Sequence, residues 1–212
     1  MSNFGRQPAN QFWSGIYAQL SEFFKEPSTE FAEDVASGRL AHFFDESLRL
    51  LGLDPAPGLG LTASGDVRAQ LDSEYRRLFI GPLPPYIVPV ESVFKKWTAD
   101  PNCHLPMAQE KGLLMGDSAV DMMRRYQAEG IEIPDALGSM PDHAALLFEY
   151  MAHLASCGDE NACKEFMVGH LDWLDDLARE IEDSGIGGVY VRGALIAAMI
   201  AHRHAIDLTQ AR

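Results

Sequence analysis

The sequence predicts an all-α protein. Apolar residues recur at helical spacing from Phe12 to Ile206, and glycine or proline breaks the pattern at helix-length intervals. No segment alternates with the period of two that a half-buried strand requires, and no internal repeat is visible.

Phe12, Trp13, Ile16, Tyr17, Leu20, Phe23 and Phe24 form the first apolar stripe, ended by Pro27. A short helix over Thr29 to Ser37 stops at Gly38. Leu40, Phe43, Phe44, Leu48 and Leu51 make a third helix, stopped at Gly52. Leu53 to Gly65 is rich in Pro, Gly and Ala. It reads as a connection between a small N-terminal helical layer (1–52) and the main body (66–212) of a single domain. The next helix runs from about Asp66 to Phe79, with Val67, Leu71, Tyr75 and Leu78 on its apolar face. Gly81 and Pro82 end it, because proline lacks the backbone donor and clashes with the preceding turn. The prolines up to Pro89 hold the following segment extended, and Ser92 suits the cap of a short helix. Residues 98–106 show no clear preference.

Asp117 or Ser118 caps a helix with Val120, Met123 and Tyr126 inward, closed by Gly130. Pro141 suits the first turn of a helix that buries Leu147, Met151 and Leu154 and ends near Gly158. One long helix or a broken pair covers Asp159 to Ser184, with Phe166, Leu171, Leu174, Leu177 and Ile181 on one face. A last helix carries Leu195, Met199 and Ile206.

Of the 212 residues, 47% are apolar, enough for the core of one domain. The 17 basic and 31 acidic residues leave a net charge of −14, which argues against non-specific binding to nucleic acid or an anionic membrane. It favours a basic partner or simple solubility. Three cysteines, Cys103, Cys157 and Cys163, cannot all pair within one chain and suggest a reducing compartment. Met1 to Asn10 lacks a signal-peptide pattern, and the longest apolar run, Ala194 to Ala201, is far short of the ~20 residues that span a bilayer. A cytoplasmic protein without membrane insertion is expected.

No metal and no cofactor are expected. Glu149 and His153 are four apart on one helix face, a spacing that ordinary surface pairs share. Cys157 and Cys163 fit no zinc pattern, and Glu-x-x-His occurs nowhere. Gly58-Leu59-Gly60-Leu61-Thr62-Ala63 imitates a dinucleotide turn but follows Pro-Ala-Pro rather than a strand. No phosphate-binding loop and no nucleophile–histidine–acid order stands out.

Two places carry candidate binding chemistry. The first is the aromatic helix end (Tyr75, Leu78, Phe79) beside a proline-stiffened loop, which suits the wall of a groove as well as a core. The second is Asp142-His143 at a predicted helix start, where a carboxylate favours free backbone donors. Glu91 either faces an incoming cation or caps the short helix; the sequence leaves both open.

The run Glu74-Tyr75-Arg76-Arg77-Leu78-Phe79-Ile80-Gly81-Pro82, followed by Pro89-Val90-Glu91-Ser92-Val93-Phe94, resembles the signature of the TorD/DmsD family of cytoplasmic redox-enzyme maturation chaperones. Pro141-Asp142-His143 leading into Leu147 to Met151, then Phe166 with His170-Leu171-Asp172-Trp173-Leu174, follow in the same order over residues 70 to 200. Tyr75 stands where the family often has tryptophan and Val90 where it often has an aromatic; Phe94 keeps that character.

The resemblance implies a binding protein and not an enzyme. Its partner would be the twin-arginine leader, and the folded body, of a molybdenum- or tungsten-cofactor oxidoreductase subunit, held back from export until the cofactor is inserted. Tyr75, Leu78, Phe79, Gly81, Pro82, Pro89, Glu91, Ser92, Phe94, Asp142 and His143 would line the peptide groove. Asp142 would accept from an arginine of the partner as a charge-assisted pair, and His143 would hydrogen-bond or tune binding with pH. Alternatives are a leaderless client, as in the nitrate-reductase branch of the family, and a helical nucleotide-binding enzyme. A monomer is the default, although some family members exchange halves between protomers.

Overall fold

A computed structural model describes residues 6–53, 61, 65–81 and 83–210. Among them the chain forms α1 (Arg6–Glu22), α2 (Thr29–Ser37), α3 (Arg39–Leu50), α4 (Val67–Tyr75), α5 (Glu91–Phe94), α6 (Asp117–Glu129), α7 (Ala144–Cys157), α8 (Glu160–His170), α9 (Leu174–Asp183) and α10 (Val189–Gln210). The class is all-α, as the periodicity predicts; the described residues contain no strand, only one antiparallel bridge between Val90 and His143. Of the Pro/Gly-rich connection, 54–60 and 62–64 lie outside the described residues, as does Pro82.

Helix α7 is the axis of the molecule. It is buried on almost every side, from Ala144 to Phe148 and again at Tyr150, Met151, Leu154 and Ala155, which is how an all-round apolar helix must sit. Helix α1 runs along it, and Phe148 stacks between Tyr17 and Phe24, at 6.2 and 5.6 Å between ring centroids. Helix α10 closes over α1. Its Gly193 lets the Phe23 ring come so close that any Cβ would collide with it. Tyr17 Oη lies 2.9 Å from His204 Nδ1, and Trp13 stacks on the His204 ring at 3.7 Å. Burial pulls the His204 pKa to about 3, which keeps the imidazole neutral beside the tyrosine hydroxyl.

Helices α6, α10 and α7 depart from the sequence pattern, each for a packing reason. In α6 the inward residues are Ala119, Met122 and Tyr126, while Val120 and Met123 are exposed. Gly116, not Asp117 or Ser118, precedes the helix. It lies so close to the Trp97 carbonyl that a Cβ would be 2.7 Å from the oxygen, and this contact sets the rotation. In α10 the core takes Gly193, Ala194, Ile196, Ala197, Ile200 and His204, whereas Ile206 is exposed and Leu195 and Met199 are only partly buried. Close approach to the α1 aromatics selects small residues over large ones. In α7 the helix begins at Ala144 rather than Pro141, because Pro141–His143 are held extended against the segment before α5.

Helix α4 starts as predicted, with the Asp66 carboxylate accepting from Ala69 N at 3.1 Å. It then widens into a π-helical turn over Arg76–Ile80 instead of continuing as an α-helix to Phe79. Gly81 follows with no room for a side chain: a Cβ would sit 2.9 Å from the Arg76 carbonyl oxygen. Glu74, on the buried side of α4, reaches across to the start of α10. Its Oε2 accepts from Val189 N at 3.1 Å, Oε1 accepts from Gln70 Nε2 at 2.8 Å, and the carboxylate fills the space a side chain at Gly188 would need. This is an N-cap supplied from a distant helix. Glu74→Ala is expected to cost about 1–2 kcal/mol through the orphaned donor, seen as a lower denaturant midpoint with an unchanged slope.

Candidate functional site

The segments singled out in the sequence meet at one junction between α5, α7 and α8. Backbone pairing starts it: Glu91 N donates to Asp142 O at 3.1 Å and Ala144 N donates to Pro89 O at 2.8 Å. The Asp142 carboxylate then turns inward. Its Oδ2 accepts from Ser92 N at 2.7 Å and from the Ser92 hydroxyl. Asp142 therefore caps α5 from another part of the chain, and Ser92 is a donor inside α5 rather than its cap. The cap of α7 is His143, whose Nδ1 accepts from Ala145 N at 3.3 Å. Burial pulls the His143 pKa to about 4, which keeps that nitrogen free to accept. Asp142 is fully buried and its Oδ1 meets no donor among the described residues. Burial raises its pKa, the Ser92 bonds oppose that rise, and the Glu91 charge adds to it.

Glu91, also fully buried, is the second tie. Its Oε2 lies 2.8 Å from His170 Nδ1, and His170 Nε2 lies 2.9 Å from Asp121 Oδ2. Each ring nitrogen faces a carboxylate, so the histidine that satisfies both is the doubly protonated cation. Burial opposes that charge, but Glu91 and Asp121 together outweigh it and hold the His170 pKa above its ordinary value. Lys95 Nζ stands 2.8 Å from Glu91 Oε1, near enough to pair charges though outside hydrogen-bond geometry, and it also donates to Gly169 O at 2.7 Å. Arg125 closes the far end on Asp121 at 2.7 Å and lies over the Phe166 ring. A charged chain thus runs Lys95, Glu91, His170, Asp121, Arg125 through the contact of α5, α8 and α6.

The expected groove residues are mostly core. Leu78 is buried; Tyr75 is nearly so and packs with Phe79 and Tyr190 at 5.2 and 5.7 Å. Phe94 stacks near Trp173 at 4.9 Å, and Pro89 is buried. The open part of this region is the loop between Gly81 and Val88, pinned by Ile87 N donating to Leu78 O at 3.1 Å. On it and beside it, Ile80, Leu83 and Tyr86 are 59%, 73% and 52% exposed. Tyr86 is held at φ 50°, a conformation that costs a tyrosine energy. Asp142 and Glu91, read in the sequence as possible acceptors for an incoming arginine, are fully buried and bonded to Ser92 and His170.

Four residues of the junction had no assigned role in the sequence: Lys95, Asp121, Arg125 and His170. Glu91–Lys95 and Asp121–Arg125 are each four positions apart, but His170, which joins the two pairs, lies 79 positions from Glu91 and 49 from Asp121, and no local spacing reveals it. The suspected metal pair is otherwise engaged: Glu149 pairs with Lys25 at 2.6 Å and His153 with Glu129 at 2.8 Å. No group of three or more candidate ligands gathers among the described residues. Most of the Gly58–Ala63 turn lies outside them.

The family model described as nitrate reductase delta subunit matches residues 39–179, a span from α3 to α9 that contains the whole junction. The chain is 25% identical over 198 residues to the chaperone protein TorD of Shewanella loihica, covering 86% of each chain. It is 27% identical over 126 residues to TorD of Vibrio cholerae, covering 51% of this chain and 57% of that one. Both relatives are named chaperone proteins. The pairing of motif segments at one buried junction, the family match over that junction and the two relatives agree: the chain belongs to the TorD-type family of redox-enzyme maturation chaperones.

Proposed function

We propose that this protein binds the immature catalytic subunit of a molybdenum- or tungsten-cofactor oxidoreductase in the cytoplasm. It holds that subunit, through its twin-arginine leader, its folded body or both, until the cofactor is inserted. The observation that carries this reading is the loop at 81–88. Three motif segments are tied together by buried charge across 50 and 79 positions of the chain, and the part they leave outside is an apolar rim at Ile80, Leu83 and Tyr86. In this reading Asp142, Glu91, Ser92 and His143 position the loop, Tyr75, Leu78 and Phe79 back it, and the rim touches the client. Apolar burial supplies the affinity, at about 25 cal/mol per Å² before the cost of ordering the client. The net charge of −14 draws in a basic leader.

A leaderless client is the second reading, favoured by the matching family model, whose description names a nitrate reductase subunit. Calorimetric titration separates them, using the leader peptide alone, the cofactor-free subunit without its leader, and the two joined. Saturable binding of the leader supports the first reading. Binding of the leaderless subunit alone supports the second. If none of the three binds, the chaperone assignment for that client fails.

A further inference from the structure

We propose that the cavity beneath the loop is a receptor for a carboxylate, and that the client segment docking there is acidic and apolar rather than the twin-arginine stretch. The cavity, about 380 Å³, is lined by Arg76, Arg77, Gly81, Leu83, Pro84, Pro85, Ser184 and Ile186. Two adjacent guanidiniums thus face proline and aliphatic walls. This inference rests on the reading that the loop is where a client docks.

The charge pattern is what selects an acidic occupant. Acidic residues outnumber basic ones by 31 to 17. Arg39, Arg49, Arg68, Arg125, Arg179 and Arg203 each sit on a carboxylate three to five positions away. Arg76 and Arg77, both exposed, make no ion pair or side-chain hydrogen bond with a described residue. The acids nearest them along α4 are turned elsewhere: Asp72 pairs with Arg68, and Glu74 caps α10. The π-helical turn begins at Arg76 and sets both arginines at the mouth of the cavity. A guanidinium pair recognises a carboxylate by planar, bidentate hydrogen bonds, and Leu83 and Ile186 would take the apolar neighbour. Two cations on a molecule of net charge −14 do not suit a nucleic acid or an anionic membrane. A leader bearing two arginines would be repelled from this point.

The test uses the full chain and fluorescence anisotropy. The probes are labelled dodecapeptides in which a Glu-Asp pair is flanked by Leu and Phe at one to four residues' distance, with Gln-Asn and Lys-Lys versions as controls. Some acidic peptides are expected to bind, at least tenfold tighter than their Gln-Asn versions and more weakly as salt rises. Arg76→Glu/Arg77→Glu is expected to lose that binding by tenfold or more while leaving the melting temperature unchanged, and Arg76→Lys/Arg77→Lys to lose an intermediate amount. The same charge reversal should weaken binding of the leaderless client subunit and leave leader-peptide binding within threefold. The inference is overturned if no acidic peptide binds, if the Gln-Asn versions bind as well, or if inorganic phosphate competes as strongly as the peptide. Client binding that is intact in the charge-reversed protein also overturns it while leaving the proposed function standing. Failure of wild type to bind any client form counts against the function and not against the carboxylate receptor.

Discussion

His170→Ala destabilises the fold by about 3–5 kcal/mol, the cost of removing one partner from a buried charge pair. The loss falls on Glu91, which is fully buried and would keep only Lys95, itself outside hydrogen-bond geometry. Asp121 loses less, because Arg125 still holds it and it is partly exposed. The stacking of His170 on Phe166, at 4.9 Å, goes as well. For a chain of this length each kcal/mol moves the melting temperature by about 2–4 °C, so a drop near 10 °C is expected. Replacing both charges by apolar groups, as in Glu91→Met/His170→Leu, should recover much of the loss, since the pair's desolvation cost disappears with it. A double variant as unstable as the single one would show that shape, not charge, is what the junction requires.

The same residue sets a pH dependence. The folded protein holds the His170 pKa above its ordinary value, so the folded state binds that proton more tightly than the unfolded chain does. Its stabilisation is complete below the ordinary histidine pKa of about 6.5 and fades as pH rises through the raised value. The groups facing the ring are Glu91 and Lys95 from α5, Asp121 and Arg125 from α6, and Phe166 from its own helix. Wild type should therefore lose melting temperature between neutral and mildly alkaline pH more steeply than His170→Gln. Parallel profiles would remove His170 as the titrating group.

Asp142 separates a positioning role from direct contact. Asp142→Ala leaves the Ser92 amide and hydroxyl without an acceptor in a buried place, and is expected to cost about 2–3 kcal/mol. Asp142→Asn keeps an oxygen for Ser92 and removes a buried charge, so its cost should stay under about 1 kcal/mol. Because burial raises the Asp142 pKa, wild type should gain stability relative to the asparagine variant as pH falls from neutral through that raised value. The two variants should also differ in client binding. If Asp142 acts by holding the loop, Asn binds the client within about threefold of wild type and Ala does not. The family resemblance instead implies a carboxylate that pairs with a client arginine, and that role would make Asn and Ala equally defective.

Much of the fold was legible because helical periodicity and glycine stops are local signals. Thr29–Ser37 with its Gly38 stop emerged as written, and so did the buried face of α8 and α9. The phases of α6 and α10 were not legible. Which face turns inward was decided by the Gly116 contact with Trp97 and the Gly193 contact with Phe23, which are pairings across the chain. The π-helical turn after Tyr75 was invisible for a related reason: its apolar spacing is also that of an α-helix. At the candidate site, the motifs pointed to segments that the fold brings together, but not to the direction of their side chains. Asp142 reads as the cap of its own helix, yet its carboxylate caps α5, fifty residues earlier. Nothing in local spacing could pair Glu91 with His170, 79 positions on.

In the proposed function the buried junction presents the loop at 81–88 to a client subunit. Amide hydrogen exchange of the chain, free and saturated with the cofactor-free client, tests it most directly. New protection is expected in peptides covering 76–90, with little change across α2 and the exposed face of α3. Protection confined to α2 and α3, with exchange in 76–90 unaltered at saturation, would contradict it.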